Sequence, residues 1–382
     1  MDRSISEDGV GEGLDLTGIP DSGRHPLTYQ GGGIMLRRAS RRLLLIATAV
    51  LTLLATNVPP ASAVPAFDFE TPLFGLAAKG GNLFVADAGA GIVRLTDTGK
   101  LIVELPGVTD VVPGRHGRMW ATTSEPRNFK LYKIADRKPH VVANLGRFER
   151  EVNPDGDIVE SNPFDLAKLG GNSVLIADAA ANALLVANRE GEVDWVATLP
   201  EKVVPTSNAK DLAGCPNAPP ELEEICVLPP EIPAHAVSTS VAVGPDGAYY
   251  VTELIGFPAP LGESRVWRIE AGTRNAHCDE AATDSPCSVV ADGFTSIVDI
   301  NFGPDGTAYV VELDEASWLA VEVGPDAMAG GTVNACDPDT WTCTESATDL
   351  TMPIAVAANA SGAVFVAVSA LIPGEAEVIE LA

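Results

Sequence analysis

Hydrophobic and polar positions alternate in short bursts along most of the chain. Residues 237–254, VSTSVAVGPDGAYYVTEL, put apolar side chains at every other position, break at Gly244-Pro245-Asp246-Gly247 and then resume. That pattern predicts strand, tight turn, strand. Residues 297–313, IVDINFGPDGTAYVVEL, repeat it, and four looser copies follow the same order. The apolar centre of the first strand falls at Leu76, Val111, Leu166, Val241, Ile300 and Val356. Glycine-rich or Asx-containing turns follow at 79–82, 114–117, 169–172, 244–247, 303–306 and 359–362. A second and a third strand come after each turn, and a fourth in the first five cycles.

Four short antiparallel strands repeated six times predict an all-β chain, a six-bladed β-propeller. The cycles are 35 to 75 residues apart, so loops pad them unevenly. The sixth cycle ends at the C-terminus without a fourth strand. Residues 65–70 precede the first cycle and are expected to supply that strand, closing the ring and pairing an open edge.

The first 63 residues lie outside this pattern. Residues 1–34 are polar and Gly-rich and read as a disordered or over-extended start, with Met35 as an alternative initiator. Residues 35–63 have the order of a signal peptide: Arg37, Arg38, Arg41 and Arg42, an apolar run over 43–54, then Ala61-Ser62-Ala63. About twelve apolar residues are short of the ~20 that span a bilayer. Cleavage after Ala63 would leave a propeller at 64–382 with an insertion at 201–236. An exported, extracytoplasmic protein is the expectation, with no stable membrane insertion after cleavage.

Composition adds an exclusion. The 382 residues carry 25 basic and 52 acidic side chains, a net charge of −27. Nucleic acid and anionic lipid would be repelled. Aromatic residues are only 5% of the chain, so Val, Leu, Ile and Ala must fill the core. The six cysteines fall in local pairs, which predicts Cys215–Cys226 in the insertion, and Cys278–Cys287 and Cys336–Cys343 beside third-to-fourth-strand turns. Zinc spacing of the C-x₂-C kind is absent. Disulfides agree with export.

The face where first strands begin and second strands end gathers the candidate chemistry. Asp110, Asp165 and Asp299 stand at first-strand starts and are candidate ligands for Ca²⁺ or another hard cation. Asp87, Asp178, Glu253 and Glu312 stand at second-strand ends, where acids commonly cap turn amides. Glu253 and Glu312, with Phe257 and Trp318 on long loops, are the candidate ligand-face residues. Asn301 is expected to point away from Asp299. Of His116, His140, His235 and His277, only His235 falls on this face. There is no H-E-x-x-H or G-x-S-x-G arrangement. A non-catalytic, monomeric binding or scaffold protein is therefore the first expectation, its partner a small molecule, glycan or protein. The alternative is a Ca²⁺-dependent propeller hydrolase of lactonase or strictosidine-synthase type, with its site at the channel mouth.

The wording of several segments is distinctive. The run from Ser238 through Gly244-Pro245-Asp246-Gly247-Ala248-Tyr249-Tyr250-Val251 to Gly256-Phe257-Pro258 resembles the ScyD/ScyE family of secreted bacterial proteins. So do Asn162-Pro163-Phe164-Asp165-Leu166, Ile176-Ala177-Asp178-Ala179 and the stretch from Gly293 to Asp299. The resemblance runs over roughly 67–382 and implies an NHL-like or TolB-like six-bladed propeller, exported, without a defined reaction. The cysteine pairs and the 201–236 insertion depart from it, as does Val366-Ala367-Val368, which carries no acid.

Overall fold

The structure, a computed structural model, describes residues 67, 69–95, 99–125 and 128–381. The leader at 1–63 lies outside them. The described chain is a six-bladed β-propeller. Blade 1 is β1 (Leu73–Lys79), β2 (Asn82–Asp87), β3 (Gly91–Leu95) and β4 (Lys100–Glu104). Blade 2 is β5 (Val108–Pro113), β6 (Met119–Thr123), β7 (Lys130–Ala135) and β8 (Lys138–Asn144), and leads into helix α1 (Leu145–Val152). Blade 3 is β9 (Pro163–Leu169), β10 (Ser173–Asp178), β11 (Ala183–Asn188) and β12 (Val193–Thr198).

The insertion follows as a hairpin, β13 (Lys202–Pro205) with β14 (Glu231–Ala234), enclosing α2 (Ser207–Leu212) and α3 (Glu223–Cys226). Blade 4 is β15 (Ser238–Val243), β16 (Tyr249–Glu253), β17 (Ser264–Ile269) and β19 (Cys287–Phe294). The link between its last two strands carries β18 (Ala276–His277), which pairs in parallel with β12 of blade 3. Blade 5 is β20 (Ile297–Phe302), β21 (Ala308–Glu312), β22 (Gly331–Cys336) and β23 (Cys343–Leu350), with α4 (Trp318–Val323) in its long loop. Blade 6 has three strands, β24 (Ala355–Ala358), β25 (Val364–Val368) and β26 (Glu377–Glu380).

Burial explains the residue choice. Second strands such as β2 and β10 are buried at five of six positions, because a neighbouring blade covers each of their faces. Outer strands such as β8 and β23 are mostly exposed. The core is accordingly a series of wedges between successive blades rather than one central mass. Val85, Val311, Val356 and Phe365 belong to one such cluster, which runs from blade 5 through blade 6 into blade 1. Small aliphatic side chains suit these thin wedges, and the low aromatic content follows.

Closure is narrower than the sequence suggests. Phe69 forms a single antiparallel bridge to Ala376, and the Leu73 amide donates to the Ala370 carbonyl at 2.9 Å. The Gly374 amide also donates to the Phe69 carbonyl at 2.9 Å, and buried apolar side chains of blade 6 pack on blade 1. Among the described residues no fourth strand forms in blade 6. Pro65, Ala66 and Asp68 of the expected clasp lie outside them.

All three disulfides join the expected cysteines. Cys336 and Cys343 sit directly opposite across β22 and β23. Cys278 departs from the hairpin expectation. It follows β18, and its amide donates to Thr198 of blade 3, so its disulfide ties down an inter-blade excursion.

Candidate functional site

The inner strands carry a repeated irregularity. In blades 1 to 5 the pairing register skips Phe74, Thr109, Phe164, Thr239 and Val298. Each skipped residue is followed by Gly75, Asp110, Asp165, Ser240 or Asp299 at one equivalent level of the channel wall. A bulge bends its strand and re-aims the next side chain. Here it turns that side chain towards the neighbouring blade.

The three aspartates are brought together at this level, as a ring that stitches blades. Asp110 accepts the Leu166 amide of blade 3 at 3.1 Å. Asp165 accepts the Val241 amide of blade 4 at 2.7 Å. Asp299 accepts the Val356 amide of blade 6 at 2.6 Å. Ser240 fills the same role in blade 4, its hydroxyl oxygen taking the Ile300 amide at 3.2 Å. In blade 1 the position is Gly75, where a Cβ would collide with Asp110.

Protons are shared around the ring. The Ser240 hydroxyl lies 2.6 Å from Asp165 and 2.7 Å from Asp299, yet it has one hydrogen to give. One of the two contacts therefore needs a protonated carboxyl. Burial raises the pKa of all three acids. Asp299 is pushed up to about 7, by burial first and the Asp165 charge second. Burial first, and then the Asp165 charge, raises Asp110 well above the ordinary carboxylate range. The three candidate cation ligands all line the channel. Their oxygens also bind backbone amides and the Ser240 hydroxyl.

Asn301 departs from the expectation that it points away from Asp299. Residues two apart on a strand share a face. Asn301 accordingly reaches blade 6 beside Asp299, accepting the Ala358 amide at 3.3 Å. Inner strands of all six blades enclose a channel cavity of about 290 Å³, into which Phe74, Asp110, Phe164, Asp165, Asp299 and Asn301 face. The Phe74 and Phe164 rings, from the blades flanking Asp110, meet edge to face at 5.9 Å.

The second-strand acids serve their own turns. Asp87 accepts Gly89 and Ala90 amides at 3.0 and 2.9 Å. Asp178 takes the Asn162 amide at 2.6 Å and the Ser161 hydroxyl at 2.7 Å, and burial brings its pKa to about 6. Glu253, named as a ligand-face candidate, is instead fully buried. Arg265 grips it with two bonds of 2.7 and 2.8 Å, and the Trp267 indole donates to it at 2.5 Å. Glu312, the other such acid, is also buried. It accepts the Thr295 amide and the Asn334 side chain, and burial raises it to about 7.

The two loop aromatics are packing anchors. Phe257 and Leu319 lie against Ala209, Ala213 and Ile225 of the insertion, a small core separate from the blades. The Trp318 indole donates to the Ile255 carbonyl at 3.1 Å. One side chain the sequence did not single out joins three loops: the Asn208 amide of α2 donates to the Ala259 carbonyl at 2.6 Å and to the Ser317 hydroxyl at 2.9 Å. Asp314 similarly folds the blade 5 loop, accepting amides of Ala316, Ala329 and Gly330. An Asp two residues before Ala316 is the only sequence trace of that turn.

His235, which closes the insertion, meets Asp157 at 3.3 Å and Glu201 at 3.7 Å through Nδ1. The three donor groups lie within 4.8 Å of one another, close enough to hold a metal ion. The sequence indicated His235 alone, because its carboxylate partners come from two distant connections.

No protein-family model matches the chain, and no curated protein matches it in sequence. Solved structures do match in fold. A structural genomics protein of unknown function from Bacteroides thetaiotaomicron aligns at TM-score 0.53 and 10% identity, over 85% of this chain and 72% of that one. A glucose dehydrogenase aligns at 0.52 and 13%, over 85% and 99%. The PQQ-bound form of an aldose sugar dehydrogenase from Streptomyces coelicolor aligns at 0.51 and 12%, over 85% and 97%. At such identities the likeness is one of fold, that of a six-bladed propeller.

Proposed function

We propose that this chain is an exported binding propeller of ScyD/ScyE type, whose loop-rich face docks a protein partner. One observation carries the reading. Nine large apolar side chains are exposed among the described residues, and seven of them, Val152, Ile158, Val159, Val203, Val227, Leu261 and Val323, stand on connections of that face. Only Leu101 and Val141 lie elsewhere, on outer strands. Contiguous apolar patches mark interaction surfaces, and this is the face on which the exposed apolar side chains gather. The loops bearing Val227, Leu261 and Val323 are held by Asn208 and by Cys215–Cys226, so that part of the face is organised before any partner arrives.

Export is supported by the three disulfides and by the signal-peptide pattern at 35–63. No helix among the described residues is long and apolar enough to cross a membrane. Hydrolysis at the channel mouth is less well supported, because the inner aspartates already bind backbone amides. The test is capture of a secreted partner by the mature chain, repeated with Val227→Asp, Leu261→Asp and Val323→Asp combined. Loss of capture at an unchanged melting temperature supports the reading. Equal capture by the triple variant overturns it.

A further inference from the structure

A second site lies where α1 and the loop after it meet the β10–β11 turn of blade 3. We propose that Glu149, Asn153 and Asp155, backed by Asp178, bind a hard divalent cation, with Ca²⁺ the best fit.

Glu149 is the starting point. It projects from α1, is 2% exposed, and neither of its carboxylate oxygens has a hydrogen-bond partner. A buried carboxylate without partners costs several kcal/mol by order of magnitude, so native proteins rarely leave one. Only five buried side-chain polar atoms among the described residues lack a partner. Three of them are here: both Glu149 oxygens and the Asn153 side-chain oxygen. All three are acceptors, and one bound cation would satisfy them together.

The loop supplies the rest. Helix α1 ends at Asn153, which takes a left-handed conformation with φ 45° and whose backbone amide donates to the Glu149 carbonyl at 2.9 Å. Asn153, Asp155 and Asp157 then recur at every second position around Gly156. Alternate oxygen-bearing residues around a glycine turn are how calcium loops direct several ligands at one ion. The turn is already formed, with the Asn153 amide group donating to the Asp157 carbonyl at 2.9 Å and the Asp157 backbone amide to Asp155 at 3.1 Å. Asn182 donates to Asp155 at 2.8 Å and pins the loop to the turn that carries Asp178.

Charge points the same way. Among the described residues no basic side chain forms an ion pair with Glu149, Asp155 or Asp178, and nearby Arg147 is spent on Glu151. Two carboxylates and an amide oxygen, all oxygen donors, suit Ca²⁺, which accepts six to eight oxygens. The exposed Asp157–Glu201–His235 group borders the same loop, but it contains an imidazole and suits a softer ion.

The experiment uses the mature chain freed of metal with a chelator. Calcium is titrated in by calorimetry, and thermal melts are run with and without 1 mM CaCl₂. One ion per chain and a rise in melting temperature are expected. Glu149→Gln and Asp155→Asn should each weaken binding by more than tenfold, while His235→Ala leaves it unchanged. The isosteric Gln keeps the shape of the pocket, and its own melting curve reports folding. Absence of heat and of any melting shift with Ca²⁺, Mg²⁺ and Mn²⁺ overturns the site. So does binding that survives Glu149→Gln and disappears in His235→Ala, which would place the ion at the exposed group.

Discussion

Asp165 on the inner strand of blade 3 accepts the hydroxyl of Ser240 on blade 4 at 2.6 Å. It also accepts the amide of the next residue, Val241, at 2.7 Å. One carboxylate thereby fixes the spacing of two blades. Truncating it would leave the Val241 amide unpaired in a buried wall and take one of two carboxyl partners from the Ser240 hydroxyl, so Asp165→Ala should cost about 2–4 kcal/mol. Ser240→Ala should cost about 1–2 kcal/mol, because it also releases Asp299. The double variant should be less destabilised than the sum of the two, showing coupling. Urea unfolding of the four proteins checks this, and strict additivity would mean that the ring is not a connected unit.

Stability should fall as pH rises through neutrality. Asp178, Asp299, Glu312 and Glu149 have folded pKa values of about 6, 7, 7 and 8, all above their unfolded values. Each binds its proton more tightly when folded. The stabilisation from that proton is complete below the unfolded values near 4 and is lost as pH climbs through about 6 to 8. With divalent ions chelated, the melting temperature at pH 9 should lie roughly 5 °C or more below that at pH 5. Glu149→Gln should flatten the curve most at its alkaline end. A melting temperature that rises from pH 5 to 9 would show that these acids are not buried as described.

Much of this fold is legible in the sequence because blades repeat and side-chain period is strict. Val111, Leu166, Val241, Ile300 and Val356 announce the inner strands, and all lie in them. The site was less legible, for three physical reasons. The bulge before each ring position changes where a side chain points without changing the alternation around it, so Ser240 looked like an ordinary strand residue. Burial of Glu253 depends on Arg265, twelve residues later and on another strand, whose position opposite it emerges only from the pairing. Glu149 needs three segments to become enclosed, and no local pattern marks a charged residue on a short amphipathic helix as buried.

Arg265 offers a test of that buried pair. It is 4% exposed, grips Glu253, stacks on Trp267 at 4.9 Å and also contacts Glu280. Arg265→Ala would strand the Glu253 charge, and a loss of about 3–5 kcal/mol is expected. Adding Glu253→Gln should restore part of it, since a neutral amide is cheaper to bury. A lysine at 265 cannot make the forked contact and should recover little. If Arg265→Ala proves near neutral by chemical denaturation, solvent must reach this carboxylate.

The insertion should come loose without unfolding the propeller. Cys215–Cys226 closes an eleven-residue span around α3, for which chain entropy alone gives roughly 3 kcal/mol. The cluster it supports, Ala209, Ala213 and Ile225 with Phe257 and Leu319, is distinct from the wedges between blades. Replacing both cysteines by serine should therefore open a local unit. Limited proteolysis should cut first within 206–230, while the main melting transition moves by only a few degrees. Because this unit carries Val227 and anchors the loops holding Leu261 and Val323, partner capture should fall with it. A single cooperative transition lowered by about 8 °C or more would instead make the cap integral to the ring, and the docking face inseparable from global stability.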